Sequence, residues 1–216
     1  PLVATAEDKS RVYGDANPEL TIAYKGLKNN DVFPATPPAI VCAATPASPA
    51  DVYPITLAGG NDPNYTLTLQ NGILTVTPAP LVATAEDKSR VYGDANPPFM
   101  VIYNGFVNGD DPDDLDTLPA IACAATPVSP AGAYPITLTG GNDPNYTLTL
   151  QNGALTVTPA PLVATAEDKS KVYGDANPEL TIAYAGLKNN DTAPVTPPTV
   201  TCAATPASQA DVYPIT

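Results

Sequence analysis

The chain has 216 residues, with 27 prolines, 14 glycines, three cysteines, no histidine and a formal net charge of −13. Nine Lys and Arg against 22 Asp and Glu leave no clustered cationic face for nucleic acid or an anionic membrane surface, and no apolar run approaches the roughly 18 residues of a bilayer span. With no His, no Gly-rich phosphate loop and no Ser in a nucleophile setting, the inventory of an enzyme is missing, and the expectation is a non-enzyme with no cofactor.

The phrase Leu-Val-Ala-Thr-Ala-Glu-Asp-Lys-Ser-(Arg/Lys)-Val-Tyr-Gly-Asp-Ala-Asn-Pro begins at Leu2, Leu81 and Leu162. Self-similarity at that spacing predicts a tandem array. The units are 1–79, 80–160 and 161–216, the last lacking its C-terminal hairpin. Residues 2–56 and 162–216 align without a gap and differ at nine positions. The proline content suggests disorder by itself. Fixed proline offsets between alternating apolar runs argue instead for folded units.

In the first unit, strands are expected at Leu2–Glu7, Thr21–Leu27, Ala39–Ala44, Tyr53–Leu57, Tyr65–Gln70 and Ile73–Thr77, all short, β-branched or aromatic, and bounded by turn residues. Tyr65, Leu67 and Leu69 alternate with Thr66, Thr68 and Gln70, the pattern of a half-buried strand. Asn71-Gly72 predicts a hairpin between the last two strands. Helix is scarce. The segment after Gly26 carries three prolines, and its counterpart at Asp110–Leu118 is long enough for a single helical turn.

Between units, Pro78-Ala79-Pro80 is short and stiff, so the last strand of one unit should run almost directly into the first of the next. That predicts a rod of roughly 100 Å for three units of about 30 Å each. The fold class is therefore mainly β, an array of small β-domains. An immunoglobulin-like sandwich is favoured by the number of short strands, and a β-grasp arrangement is the alternative.

Tyr-Gly-Asp-Ala-Asn-Pro, then Tyr103-Asn-Gly-Phe-Val-Asn-Gly-Asp-Asp, then Ala-Thr-Pro-Val-Ser-Pro-Ala-Gly-Ala-Tyr-Pro-Ile-Thr, then Asn-Tyr-Thr-Leu-Thr-Leu-Gln-Asn-Gly-Ala-Leu-Thr-Val-Thr-Pro-Ala resembles the MBG domain of the YGX type over essentially the whole chain. The first and third units depart from that pattern at Asn29-Asn30-Asp31 and its repeat, where Asn-Gly-Asp is usual. The resemblance implies tandem, β-rich units of large secreted or surface-attached bacterial proteins, many of them adhesins, and it implies no catalytic residues.

Cys42, Cys123 and Cys202 occupy one position per unit, which excludes a disulfide within a unit. Each shares a strand face with Ile40, Ile121 or Val200 two residues earlier, so a packed free thiol is expected, with cross-linking between chains the alternative. Asp110, Asp111, Asp113, Asp114 and Asp116 are weak calcium candidates. A solvated turn is the favoured reading there, because the spacing lacks a Gly-centred cation loop. Glu7, Asp8 and Asp15, near the joints, are a second weak calcium set. Asn64 and Asn145 match the glycosylation acceptor pattern, but turn chemistry accounts for both. Tyr24, Tyr53 and Tyr65 are in phase with apolar strand partners and read as core, which with the absence of Trp weakens a sugar-stacking platform that would include Tyr13.

The favoured function is a structural stalk, spacer or fibre element of an extracellular repetitive surface protein. The alternative is a module recognising glycan or host protein through the variable loop 107–119. Partners are neighbouring repeats, identical chains in a fibre, or a surface ligand. The sequence closes on Tyr213-Pro-Ile-Thr216, in phase with Tyr53–Thr56 and Tyr134–Thr137. It reads as a window on a longer array, with strand donation from another molecule as the alternative way to complete the third unit.

Overall fold

The computed structural model describes residues 1–216. It is built of strands, with one 3-10 turn at Pro112–Asp114 and no α-helix. The first repeat has β1 (Leu2–Ala6), β2 (Lys9–Val12), β3 (Ile22–Lys25), β4 (Ala39–Cys42), β5 (Val52–Ala58), β6 (Leu67–Gln70) and β7 (Gly72–Thr77). The second has β8 (Ala79–Ala85), β9 (Lys88–Val91), β10 (Val101–Asn104), β11 (Ala120–Cys123), β12 (Gly132–Thr139), β13 (Tyr146–Gln151) and β14 (Gly153–Thr158). The third has only β15 (Val163–Ala166) and β16 (Ile182–Ala185).

Two mixed sheets make the first repeat. One has the order β3-β1-β6, with β1 antiparallel to β3 and parallel to β6. The other has the order β2-β7-β5-β4, with β7 parallel to β2 and antiparallel to β5. Alternation decides which faces meet. Leu2, Ala4 and Ala6 of β1 are buried, as are Ile55 and Leu57 of β5 and Leu74 and Val76 of β7; Ala4, Ala6, Ile55, Leu57, Leu74 and Val76 belong to one apolar cluster.

Two expectations are corrected here. Lys9–Val12 is a strand that its polar composition hides, and Asn71-Gly72 does not close a hairpin. β6 and β7 lie in different sheets, so the pair carries the chain from one sheet to the other. Asn71 accepts the Leu57 amide through Oδ1 at 3.1 Å. A Cβ on Gly72 would sit 2.4 Å from the Ala6 carbonyl oxygen, so the glycine answers to close backbone approach rather than to turn geometry. The single turn at Pro112–Asp114 forms as its sequence suggests, with Asp111 and Asp114 in a reciprocal capping box.

Contacts divide the chain into two compact units, residues 1–86, 100–122 and 137–152 in one and 87–99, 123–136 and 153–216 in the other. In the first unit, the first repeat continues into the sheet β10-β8-β13 of the second. Only Pro78 separates β7 from β8, and Ala79 and Leu81 join the same apolar cluster as Leu74 and Val76. In the second unit, β14 is parallel to β9 and antiparallel to β12, as β7 is to β2 and β5. The third repeat holds a two-stranded pair, β15 antiparallel to β16, and β15 is largely exposed where β1 is buried.

Leu74→Ala should cost about 2–5 kcal/mol, the usual range for a leucine cavity in a closed core. Ile73→Ala, on the outward face at 42% exposure, should stay within about 1 kcal/mol. Urea unfolding of the two variants, with hydrogen exchange read at first-repeat amides, checks the ordering.

Candidate functional site: the joint between repeats

The phrase Tyr-Gly-Asp, the same in all three repeats, follows directly on β2 and in the first repeat is held from three directions. The Tyr13 amide donates to the Thr77 carbonyl at the end of β7, 2.8 Å away. Arg11, only 7% exposed, reaches under the turn. Its Nε donates to Asn17 Oδ1 at 2.8 Å, its Nη1 to the Val12 carbonyl at 3.1 Å, and its Nη2 to the Thr45 carbonyl. Asn17 in turn donates to the Ala44 carbonyl at 2.6 Å. The guanidinium is thus satisfied by neutral oxygens alone, a use that its planar fork suits. Arg90 with Asn96 repeats the latch, and Lys171 with Asn177 supplies a thinner version through the Asp175 and Thr205 carbonyls.

What the latch presents is a docking surface. Tyr13, 7% exposed, crosses from the first repeat to the loop 106–110 of the second. Its hydroxyl donates to Asp110 Oδ2 at 3.0 Å, and the Tyr146 hydroxyl donates to the same oxygen at 2.7 Å. The two rings meet edge to face at 5.6 Å and 87°, and Phe106 packs on Tyr146 at 5.4 Å and 83°. Val107 donates its amide to the Tyr146 hydroxyl at 3.1 Å. Gly14 and Asn108 both donate to the Pro46 carbonyl, at 3.2 and 3.3 Å, and the Ala50 amide donates to Asn145 Oδ1 at 2.9 Å. Gly14 has φ +91°, and a Cβ on it would lie 2.6 Å from Val107 Cγ2, so that position requires glycine twice over.

The second joint repeats the plan with different chemistry. Tyr92 donates to Asp191 Oδ2 at 3.2 Å, Asn189 donates to the Pro127 carbonyl at 3.1 Å, and Lys188 meets Asp94 at 3.4 Å. Lys188 stands where Val107 stood, and its ion pair is half-exposed on both sides, which makes it a weak contact in water.

The receiving loop has one geometry in every repeat. Asn29 and Asn30 have φ of +54° and +63°, Asn189 and Asn190 +54° and +64°, and Asn108 and Gly109 +57° and +86°. A bond closes each turn, from Asp31 to the Lys28 carbonyl in the first repeat and from Asp110 to the Val107 carbonyl in the second, both 2.9 Å. The departure from Asn-Gly-Asp in the first and third repeats therefore leaves the turn intact, because Asn tolerates left-handed backbone. In the first repeat, Tyr65 already donates to Asp31 at 2.8 Å.

The site residues expected from sequence fall as follows. Asp110 is taken by the two tyrosine hydroxyls. Asp111 and Asp114 cap the 3-10 turn, and the Asp116 amide donates to Asp143. Asp113 donates its own amide to Asp111. Glu7 accepts from Thr21 Oγ1 and Lys9, and the first of these contacts holds its carboxyl below the usual range. Asp8 accepts the Ile73 amide at 2.8 Å, and Asp15 is exposed. No group of three or more such side chains converges as a metal cluster would. Asn145 is in the joint, whereas Asn64 is exposed with its amide on Asp62. Cys42, Cys123 and Cys202 are unbonded and half-buried, with Cys42 on the inward face of β4 beside the core. Tyr24, Tyr53 and Tyr65 are half-buried, and Tyr13 is the buried one.

The Tyr13 contact, the Arg11 latch and the turn at 28–31 all escape a reading by strand period. The available signal is the pairing of a basic residue at 11, 90 and 171 with Asn six residues later in every repeat.

The profile of the MBG domain (YGX type) matches residues 2–75, 81–156 and 162–216. A search of curated proteins finds none similar to the chain.

Two outcomes test the joint. Gly174 has φ +94° with nothing within 4 Å of an added Cβ, so Gly174→Ala carries backbone strain only. Gly14→Ala carries that strain plus a clash, and should lose more by about 1–3 kcal/mol, the usual cost of overpacking. Urea titration of both variants compares them. Burial, ahead of the Asp110 contact, raises the Tyr146 hydroxyl above its ordinary value, and burial raises Tyr13 as well. The neutral phenols are thus favoured in the folded chain, and their contribution is whole below about pH 10. It is lost as pH climbs further, because the unfolded chain gives up those protons first. Stability should decline above about pH 10, and less steeply in Tyr146→Phe.

Proposed function

The chain belongs to the family of MBG domains of the YGX type, a family of structural repeats, and from that premise we propose that it is a spacer of an extracellular, adhesin-like surface protein. The observation that carries this reading is the joint. Tyr13, Gly14 and Pro46 of one repeat dock on Asp110, Val107 and Asn108 of the next, with one proline between the flanking strands. A spacer needs such joints, since a flexible linker would let neighbouring units reorient freely. No helix is long and apolar enough to cross a membrane.

The alternative, ligand recognition through loop 107–119, loses ground on the same observation. Val107, Asn108 and Asp110 of that loop are engaged at the joint, and Leu115 is buried. Leu118 is its large apolar residue left half-exposed.

Residual dipolar couplings test the spacer reading. One alignment tensor should fit β1–β7 together with β8, β10 and β13 in the native chain, and Val107→Asp should demand two. Independent tensors in the native chain would defeat the reading. Protease treatment of intact source cells should release repeat fragments if the protein is displayed outside. On this reading the joint needs no cation, so melting with chelator and with calcium should agree within about 1 kcal/mol. A calcium site filled to 100 times its dissociation constant would add about 2.7 kcal/mol.

A further inference from the structure

The first repeat opens and closes on strands that run side by side. β1 pairs in parallel with β6, from Leu2 with Leu67 to Thr5 with Gln70. β2 pairs in parallel with β7, from Lys9 with Leu74 to Val12 with Thr77. The partners keep one offset, 65 residues, across the change of sheet. Asp8 holds the crossing point by accepting the Ile73 amide at 2.8 Å. Bonds close both ends of the pair, from the Leu2 amide to the Thr66 carbonyl at 2.9 Å and from the Tyr13 amide to the Thr77 carbonyl at 2.8 Å. Residues 2–13 and 66–77 are therefore one parallel ribbon that passes from the smaller sheet to the larger.

The chain runs into this ribbon at Leu2, the start of one strand, and out at Thr77, the end of the other. Those two points lie at opposite ends of the ribbon. Pro78 alone then delivers the chain to β8. The second repeat has the same two ladders, β8 with β13 and β9 with β14, at an offset of 67 residues.

We propose that this ribbon is a force-bearing clamp, and that the repeats carry tension along the chain without unfolding. Tension is what an extended spacer meets when the bodies it holds apart move, so the clamp rests on the spacer role proposed above. A pull on the chain draws the entry strand towards its own start and the exit strand towards its own end. In a parallel pair those pulls slide one strand along the other, so the ladder bonds are strained together. Handles at one end of the same pair would break the bonds one at a time. Each bond is modest in water, and loading them together raises the barrier that governs forced unfolding.

Neither loaded strand can peel sideways. β1 lies between β3 and β6, and β7 lies between β2 and β5, so both are held along both edges. Their buried side chains, Leu2, Ala4, Ala6, Leu74 and Val76, must drag through a close-packed core before either strand slides free. Arg11 ties β2 to the loop after β4 through the Thr45 carbonyl, which keeps β2 from travelling with β7.

The test pulls single molecules of the 216-residue chain in an optical trap. Cys42, Cys123 and Cys202 are replaced by Ala throughout, and melting checks that each variant folds. One set carries handles at the two termini, which load each ribbon lengthwise. The other carries Asn64→Cys, with handles at residue 1 and at position 64. Asn64 is exposed and precedes β6, so these handles part the starts of β1 and β6 crosswise. Pro63→Cys gives the same geometry independently. End-to-end pulling should show two abrupt ruptures, each releasing the length of one repeat, at several-fold the force that opens the crosswise pair. Equal forces, a lower force end to end, or gradual lengthening without rupture overturns the clamp. Equal forces beside a single alignment tensor would remove the clamp and leave the spacer, and unequal forces beside independent tensors would do the reverse.

Discussion

The seat of β7 between β2 and β5 is the contact on which each repeat depends. β7 comes last in its repeat yet lies in the middle of the larger sheet, parallel to a strand some 65 residues earlier, as the pairing of Lys9 with Leu74 shows. It delivers Leu74 and Val76 to the core and ends on the carbonyl that fixes the Tyr13 amide. One residue later it becomes β8 of the next repeat. Core, signature turn and joint therefore share one element. The third repeat shows the consequence within one chain. It repeats the sequence of the first over 162–216 with nine changes, yet it forms β15 and β16 and leaves its β2 and β5 counterparts without ladders. Local propensity does not make these strands, since the same residues are strand when the partner is present and irregular when it is absent. The partner decides, across a closure distance that makes the pairing non-local and late.

The joints then inherit their geometry from that seat. Gly14 approaches Val107 so closely, and Asp110 collects two tyrosine hydroxyls so directly, that the first joint behaves as a continuation of the core. Bonds to a charged acceptor are worth about 1.5–3 kcal/mol in partly buried settings, and the edge-to-face rings add area burial on top. The second joint keeps the tyrosine–aspartate bond and exchanges an apolar contact for an exposed ion pair. That exchange weakens the contact and makes it salt-sensitive. The two joints are thus graded by the residue at 107 and 188, while the turn that carries it stays the same.

Much of this was legible in the residues, and the misses have physical causes. β1, β3, β4 and β5 can be read because apolar and polar residues alternate against a single core. β2 cannot, because Lys-Ser-Arg-Val looks like surface. Its one inward side chain is Arg11, which is buried against neutral oxygens that only the folded chain assembles. Asn71-Gly72 carries a strong hairpin signal, but the glycine is demanded by the Ala6 carbonyl, a contact between sheets that no local rule contains. The joint is hidden for the same reason. Tyr13 reads as one more recurrent aromatic, and Asp110 as one carboxylate in an acidic run. Their meeting spans 97 residues, and composition says nothing of it.

Near-identical repeats raise one more physical question, because β7 and β14 present the same inward residues and each would fit the other's seat. Exchange between neighbours is a known failure of repetitive arrays. Here it is opposed by connection length. Pro78 alone joins β7 to β8, and one extended residue spans no more than about 3.6 Å, so β7 cannot leave its repeat without pulling β8 out of its own sheet. β8 is held along its length, antiparallel to β10 and parallel to β13, and it buries Ala79, Leu81, Ala83 and Ala85. Moving β7 therefore breaks two cores to make one. The short stiff joint is what lets an array of interchangeable strands keep each strand at home.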